Sequence, residues 1–206
     1  MTPKLSYTQL KTRLKTQETK LRKLQRLVER DNLTGLYNRP GIRKEAQKFL
    51  NTLEKEVSLT KRGIERMSHL TNIAVIFIDL DNFKKINDYY GHDKGDRALQ
   101  KVGNIIETIL RNLDLVGRWS GDEFIAVLPG ANKDIAQKRA DQIQEATTIC
   151  FKKVFPKAGA SLSTGASAVF ENGSKKGILD LEKLIIKADE RMYHQKRKRK
   201  HKTNKT

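Results

Sequence analysis

Apolar residues recur at alternating spacings of three and four along the first thirty positions: Tyr7, Leu10, Leu14, Leu21, Leu24 and Val28, with polar Gln17 interrupting once. This is a heptad seam. Its length of about three heptads fits a coiled-coil dimer or one amphipathic helix lying against a domain, and Gln17 would help fix register in the former. Further along, Asn72-Ile73-Ala74-Val75-Ile76-Phe77-Ile78 is a continuous apolar run rich in β-branched residues, the pattern of a buried central strand. Leu115-Val116-Gly117-Arg118 and Phe124-Ile125-Ala126-Val127-Leu128 flank a small-residue turn and read as a hairpin with Gly121 at its tip. Ala160 to Phe170 reads as a strand of small residues. Helical periods cover Pro40 to about Leu59, about Gly95 to Asn112, about Lys133 to Phe151, and Asp180 to about Lys198. Polar stretches at Thr60–Thr71 and Glu171–Gly177 read as a loop and a turn. The order βαββαβ with flanking helices predicts an α/β fold with a central mixed sheet covered by helices.

Two places in this pattern carry carboxylates where a core does not want them. The buried strand ends in Asp79-Leu80-Asp81, and the hairpin tip reads Ser120-Gly121-Asp122-Glu123. A carboxylate where a strand meets solvent is a natural ligand for a hard cation such as Mg²⁺. If Asp79 and Asp122 lie at neighbouring strand ends they can share metal ions, and a metal pair can activate a hydroxyl and stabilise a leaving pyrophosphate. Taken singly, each segment is equally well explained by helix-capping and turn carboxylates.

Together these residues resemble the GGDEF family, the diguanylate cyclases, with Ser120-Gly121-Asp122-Glu123-Phe124 as the signature. Asp31-Asn32-Leu33-Thr34-Gly35-Leu36-Tyr37-Asn38-Arg39 looks like the family's opening motif. Asp79 through Asp88 and Gly91 through Asp96 look like its nucleotide-binding segment, and Ala188 through Tyr193 with Lys196 and Lys200 like its closing helix. The resemblance implies a palm-like topology shared with nucleotide cyclases and polymerases. It also implies condensation of two GTP into cyclic di-GMP and two pyrophosphates across a homodimer, with two Mg²⁺ (or Mn²⁺) per active site. On this resemblance Asp79, Asp122 and the backbone carbonyl of Leu80 are metal ligands, while Asp122 and Glu123 are catalytic. Asn87 and Asp96 read the guanine edge, where a carboxylate accepts from N–H groups that adenine lacks. Phe83, through its backbone N–H, and Lys84, Lys196 and Lys200 contact the triphosphate, and Leu99 is an apolar wall beside the base. Arg111-Asn112-Leu113-Asp114 has the RxxD form with five residues before Ser120, the spacing of the family's inhibitory product site. Without that spacing it is an ordinary helix-end arginine and turn aspartate.

Two positions depart from the pattern. Ser120 replaces a glycine whose use would be close backbone approach or a positive φ. Arg199 stands where the closing motif has glycine, just before Lys200, and bears on how the last helix ends and on nucleotide affinity.

Charge changes the picture only at the ends. The net charge is +18, but residues 1–30 hold nine Lys/Arg against two Glu, and 194–206 hold seven against no acid. The body between carries a small share, which excludes a nucleic-acid groove through the fold, and no specific nucleic acid is expected as a partner. The single cysteine, Cys150, lies in an apolar stretch and reads as a structural thiol, in keeping with a reducing cytoplasm. No secretory signal appears near Met1, and no apolar run approaches the roughly 20 residues of a membrane span. The expected organisation is a signalling or dimerisation helix over 1–30, a GGDEF domain over 31–200, and a basic disordered tail over 201–206. Two other readings remain: a degenerate domain that senses GTP or cyclic di-GMP without synthesis, and a polyanion binder driven by the basic ends.

Overall fold

The computed structural model describes residues 6–65, 70–171 and 177–203, without the side chains of 21–27 and 199–203. Its elements are α1 (Tyr7–Glu29), α2 (Arg39–Lys61), β1 (Ile73–Asp81), α3 (Phe83–Tyr90), α4 (His92–Ile109), β2 (Leu115–Ser120), β3 (Glu123–Pro129), α5 (Lys133–Val154), β4 (Ser161–Ala168) and α6 (Leu181–Thr203). The strands form one sheet in the order β2-β3-β1-β4.

The expected α/β palm with helices over its sheet is what the chain forms, with one correction. Every named strand pair is antiparallel, so the sheet is antiparallel rather than mixed. The parallel pairing is confined to an isolated bridge between Tyr37 and Gly117. Single-sequence patterning shows that a strand is buried on both faces but is silent on the direction of its neighbours.

Strand alternation divides β1 between two cores. Ala74, Ile76, Ile78 and Leu80 join Leu99, Val102 and Ile106 of α4 and Ala140, Ile143 and Phe151 of α5. Ile73, Val75 and Phe77 face the opposite way, onto Ile42, Leu50 and Leu53 of α2 and Leu184, Ile185 and Met192 of α6. The continuous apolar run is therefore the middle layer of a three-layer sandwich. By the same alternation, Asp79 and Asp81 emerge on the face that α6 covers.

The small residues of β4 have a packing reason. A Cβ on Gly165 would lie 2.1 Å from the Ala188 carbonyl oxygen and 2.3 Å from the Met192 nitrogen, so α6 crosses the strand at backbone contact. The Ser167 hydroxyl donates to the Leu184 carbonyl at 2.7 Å, and the Thr164 N–H donates to Gln195 at 2.9 Å. These contacts set where α6 lies over the sheet.

Boundaries shift modestly. The segment after β1 is two helices rather than an approach to one, and α6 reaches Thr203, where the sequence reading ended it near Lys198 and began a tail at 201. Parts of the expected loop and turn, 66–69 and 172–176, lie outside the described residues, as do 204–206.

Candidate active site

The site is built at the open end of β1 and β3. Asp79 pairs in register with Glu123, and the Leu80 N–H donates to the Asp122 carbonyl at 3.1 Å. The hairpin loop between Ser120 and Glu123 consists of Gly121 and Asp122. Gly121 takes φ 38°, while Asn82 is the one non-glycine with positive φ among the described residues. The left-handed demand of the turn thus falls on the glycine that is present, and Ser120 completes β2 without backbone strain. Its hydroxyl hydrogen-bonds Glu123 Oε2.

Lys196 reaches this cluster from α6. Its ammonium pairs with Asp79 and lies 3.3 Å from Asp81. Asp81 also accepts from Ser161 at 3.1 Å and Ser163 at 2.8 Å, hydroxyls two residues apart on one face of β4. Burial pushes the Asp122 carboxyl upward, and the charges of Asp79 and Glu123 add to that against its own backbone hydrogen bond and Lys196. Burial would lower the Lys196 ammonium, but its bond to Asp79, then the charges of Asp79 and Asp81, leave it raised. Asp189 of α6 is raised as well, by burial first and then by Asp79 and Glu190.

Next to the carboxylates, α3 starts without a side-chain cap. Asn82 sits at φ 61° with its amide turned to the Gly159 carbonyl at 2.9 Å. A helix start of this kind presents backbone N–H groups to an anion. Phe83, Lys84 and Asn87 ride on α3, and Asp96 and Leu99 on α4. The two helices touch at Gly95, where an added Cβ would sit 1.9 Å from Asn87 Oδ1 and 3.3 Å from Phe83. Asn87 Oδ1 is buried and without a hydrogen-bond partner, an acceptor held ready for a ligand donor. Asp96 and Lys84 are exposed. Leu99 is 1% exposed and packs within the core cluster. The Lys200 backbone continues α6, but its side chain and that of Arg199 lie outside the described ones.

The expected inhibitory pair is elsewhere, past the end of α4. The Arg111 N–H donates to Asp114 at 2.9 Å and the Asp114 N–H returns to the Arg111 carbonyl at 2.9 Å, which closes a tight turn. Burial raises the Asp114 carboxyl against the hydrogen bond and charge of Arg111. Both residues line a cavity of about 300 Å³.

The donor set suits a hard cation: carboxylate oxygens of Asp79 and Asp122 at adjacent strand ends, around a position that already attracts a positive charge in Lys196. Among the described residues no group of three or more His, Cys, Asp or Glu side chains is arranged to hold a metal ion, so substrate oxygens and backbone carbonyls would have to complete the shell. Ser161, Ser163 and Asp189 were not singled out in the sequence. The i, i+2 spacing of the two serines on a strand was their only signal, and it equally fits plain packing, whereas Asp189 entered only as a member of the closing motif.

A family profile described as "Diguanylate cyclase, GGDEF domain" matches residues 28–202. The chain is similar to diguanylate cyclase DosC of Escherichia coli, with 34% identity over 172 residues, 83% of this chain and 34% of DosC. It thus spans about a third of the length of that relative. Among solved structures it resembles the GGDEF domain of YfiN (TpbB) from Pseudomonas aeruginosa, with 30% identity, TM-score 0.63, and coverage of 80% of this chain and 92% of that one. The coiled coil and GGDEF domain of DgcB from Caulobacter crescentus, in complex with c-di-GMP, shares the fold at 20% identity and TM-score 0.69, covering 91% of this chain and 90% of that one. No described helix is long and apolar enough to cross a membrane.

Proposed function

The chain belongs to the GGDEF domain family of diguanylate cyclases, and from that premise we propose that it joins two GTP molecules into cyclic di-GMP, with release of two pyrophosphates, across a homodimer. The observation that carries this reading is the convergence of Asp79, Asp122, Glu123 and Lys196 on one strand end beside the uncapped start of α3.

The chain's own residues divide the work. Phe83 and its neighbours at the start of α3 offer N–H groups to the triphosphate, with Lys84, Lys196 and Lys200 as its cations. Asn87 and Asp96 bind the guanine edge, and the unpaired Asn87 acceptor is already desolvated for that purpose. Asp79, Asp122 and the Leu80 carbonyl would hold two Mg²⁺ (or Mn²⁺), which neutralise phosphate charge and acidify the attacking 3′-hydroxyl. Asp122 and Glu123 then sit where that hydroxyl must be oriented toward the α-phosphate of the second GTP. Because each protomer presents one nucleotide, two copies must face each other. The α1 seam, and the coiled coil in the DgcB structure, favour assembly through that helix. Arg111 and Asp114 are assigned to a product-inhibition site.

Purified protein incubated with GTP and Mg²⁺ should yield cyclic di-GMP by mass spectrometry, rising more than linearly with protein concentration. Asp122→Ala should reduce the rate by roughly 10²–10³-fold, on the order expected when a charge-stabilising group is removed from such a site. Wild-type turnover in that variant would overturn the assignment. The bond between Ser120 and Glu123 favours a second reading, a nucleotide-binding module in which Glu123 is engaged by its neighbour. GTP binding and dimerisation with no product would select that reading.

A further inference from the structure

The cavity beside Arg111 and Asp114 has a wall that the RxxD spacing does not predict. Arg30 and Tyr37 line it together with Glu107 and Leu115. Arg30 is the first residue after α1 and bridges to Tyr37 as an isolated β-pair. Its guanidinium carbon lies 3.6 Å from the Tyr37 ring centroid, a close cation–π stack, and Nη1 donates to the Gly35 carbonyl at 3.3 Å. The fork is thereby held against one cavity wall, with the aromatic ring behind it.

Its charge is not answered. Arg43 pairs with Glu182 at 2.6 Å, Arg118 with Asp31 at 3.2 Å and Arg191 with Glu171 at 2.7 Å. Among the described residues Arg30 and Arg111 form no ion pair, although Glu107 shares their cavity. Two guanidiniums converging on one concavity, with an aromatic ring and a partly buried carboxylate, suit a ligand that is both anionic and planar. A phosphodiester takes the fork, a purine stacks on the guanidinium or ring, and a carboxylate accepts from guanine N–H groups. A cavity of about 300 Å³ accommodates one guanylyl half of a cyclic dinucleotide and leaves the other half outside.

We propose that Arg30, stacked on Tyr37, is a second arginine of the product site and binds cyclic di-GMP in concert with Arg111 and Asp114. This rests on the assignment of Arg111 and Asp114 to product inhibition. A ligand seated there lies directly on the exit of α1, so product binding and the lie of that helix share a residue.

Calorimetric titration of cyclic di-GMP into the wild-type chain and into Arg111→Ala, Arg30→Ala and Arg30→Lys tests it, with melting curves to confirm folding. Arg111→Ala and Arg30→Ala should each weaken binding at least tenfold. Arg30→Lys should lose nearly as much, because an ammonium supplies neither the fork nor the stacking plane. If Arg111→Ala binds weakly while a folded Arg30→Ala or Arg30→Lys binds as wild type, Arg30 is not a ligand contact and the inhibitory site stands without it. If Arg111→Ala also binds as wild type, the inhibitory-site assignment fails and this inference fails with it.

Discussion

Lys196 offsets the carboxylate charges of the candidate site. Its ammonium lies between Asp79 and Asp81, two half-buried carboxylates that would otherwise repel each other. A metal ion held by these carboxylates would compete with that ammonium and leave it free to meet a phosphate. Lys196→Met should therefore melt lower than wild type without metal, by roughly 3–12 °C for loss of a charged hydrogen bond worth about 1.5–3 kcal/mol. Adding Mg²⁺ without nucleotide should then stabilise the variant several degrees more than wild type, since no ammonium competes. Equal Mg²⁺ shifts in the two proteins would separate the metal from this carboxylate pair. Asp79, Asp122 and Glu123 were legible in the sequence because carboxylates interrupt apolar strands at abrupt places. Ser161 and Ser163 were not, because serines in a strand of small residues carry no charge signal until register sets them across from Asp81 and Asp79. Leu99 shows the opposite difficulty: an apolar residue near a site reads alike as wall or as core, and its side chain is buried here.

At the scale of elements, the lie of α6 on β4 decides whether Lys196 reaches the carboxylates at all. Gly165 allows the close approach, and Glu171 fastens it. Glu171 accepts from both Nη atoms of Arg191 at 2.7 and 2.9 Å and from the Ala168 N–H at 2.9 Å, and it pairs with Lys187 at 2.9 Å. Burial alone would raise its carboxyl, but the bonds from Arg191, Lys187 and Ala168 pull it down to about 2 from an ordinary 4.5. A depressed carboxylate stabilises the fold fully above its unfolded value and loses that contribution as pH falls toward the folded one. Glu171→Gln should thus cost about 2–3 kcal/mol near neutrality, and its deficit against wild type should shrink as pH drops from about 4.5 toward 2. Denaturant unfolding at several pH values reads this directly, and a deficit constant with pH would mean that packing, not charge, fastens α6. The helices and strands themselves were visible as periods of 3.6 and 2 in the sequence. The short helix α3 was not, because its eight residues, FKKINDYY, bury only Ile86 and lack a capping signal. Strand direction was hidden as well, since register lives in pairings between distant segments and not in the pattern of any one.

For the whole molecule, the proposed synthesis requires two half-sites to meet. The end of α1 is clasped to the domain: Asn38 donates from its amide to the Val28 carbonyl at 2.7 Å, and Lys44 pairs with Glu29 at 2.5 Å. Ahead of that clasp the described apolar seam residues lie in solvent, with Leu10 at 53% and Leu14 at 60% exposure. That placement disfavours the alternative in which the first half of α1 lies against its own domain. A second copy of the same helix covers such a seam in register and raises the effective concentration of one half-site at the other. Leu10→Asp/Leu14→Asp should then abolish the dimer in sedimentation equilibrium while leaving the domain's melting transition in place, because neither residue touches the cores. Synthesis per protomer should fall by roughly tenfold or more in dilute protein. It should recover toward wild type as protein concentration rises, since the half-sites themselves are intact and only their encounter has been made bimolecular. A variant that loses the dimer yet keeps full synthesis when dilute would show that the half-sites assemble through the domains and that α1 serves another purpose. A deficit that persists at high concentration would instead make the geometry imposed by α1, rather than proximity alone, the quantity that controls turnover.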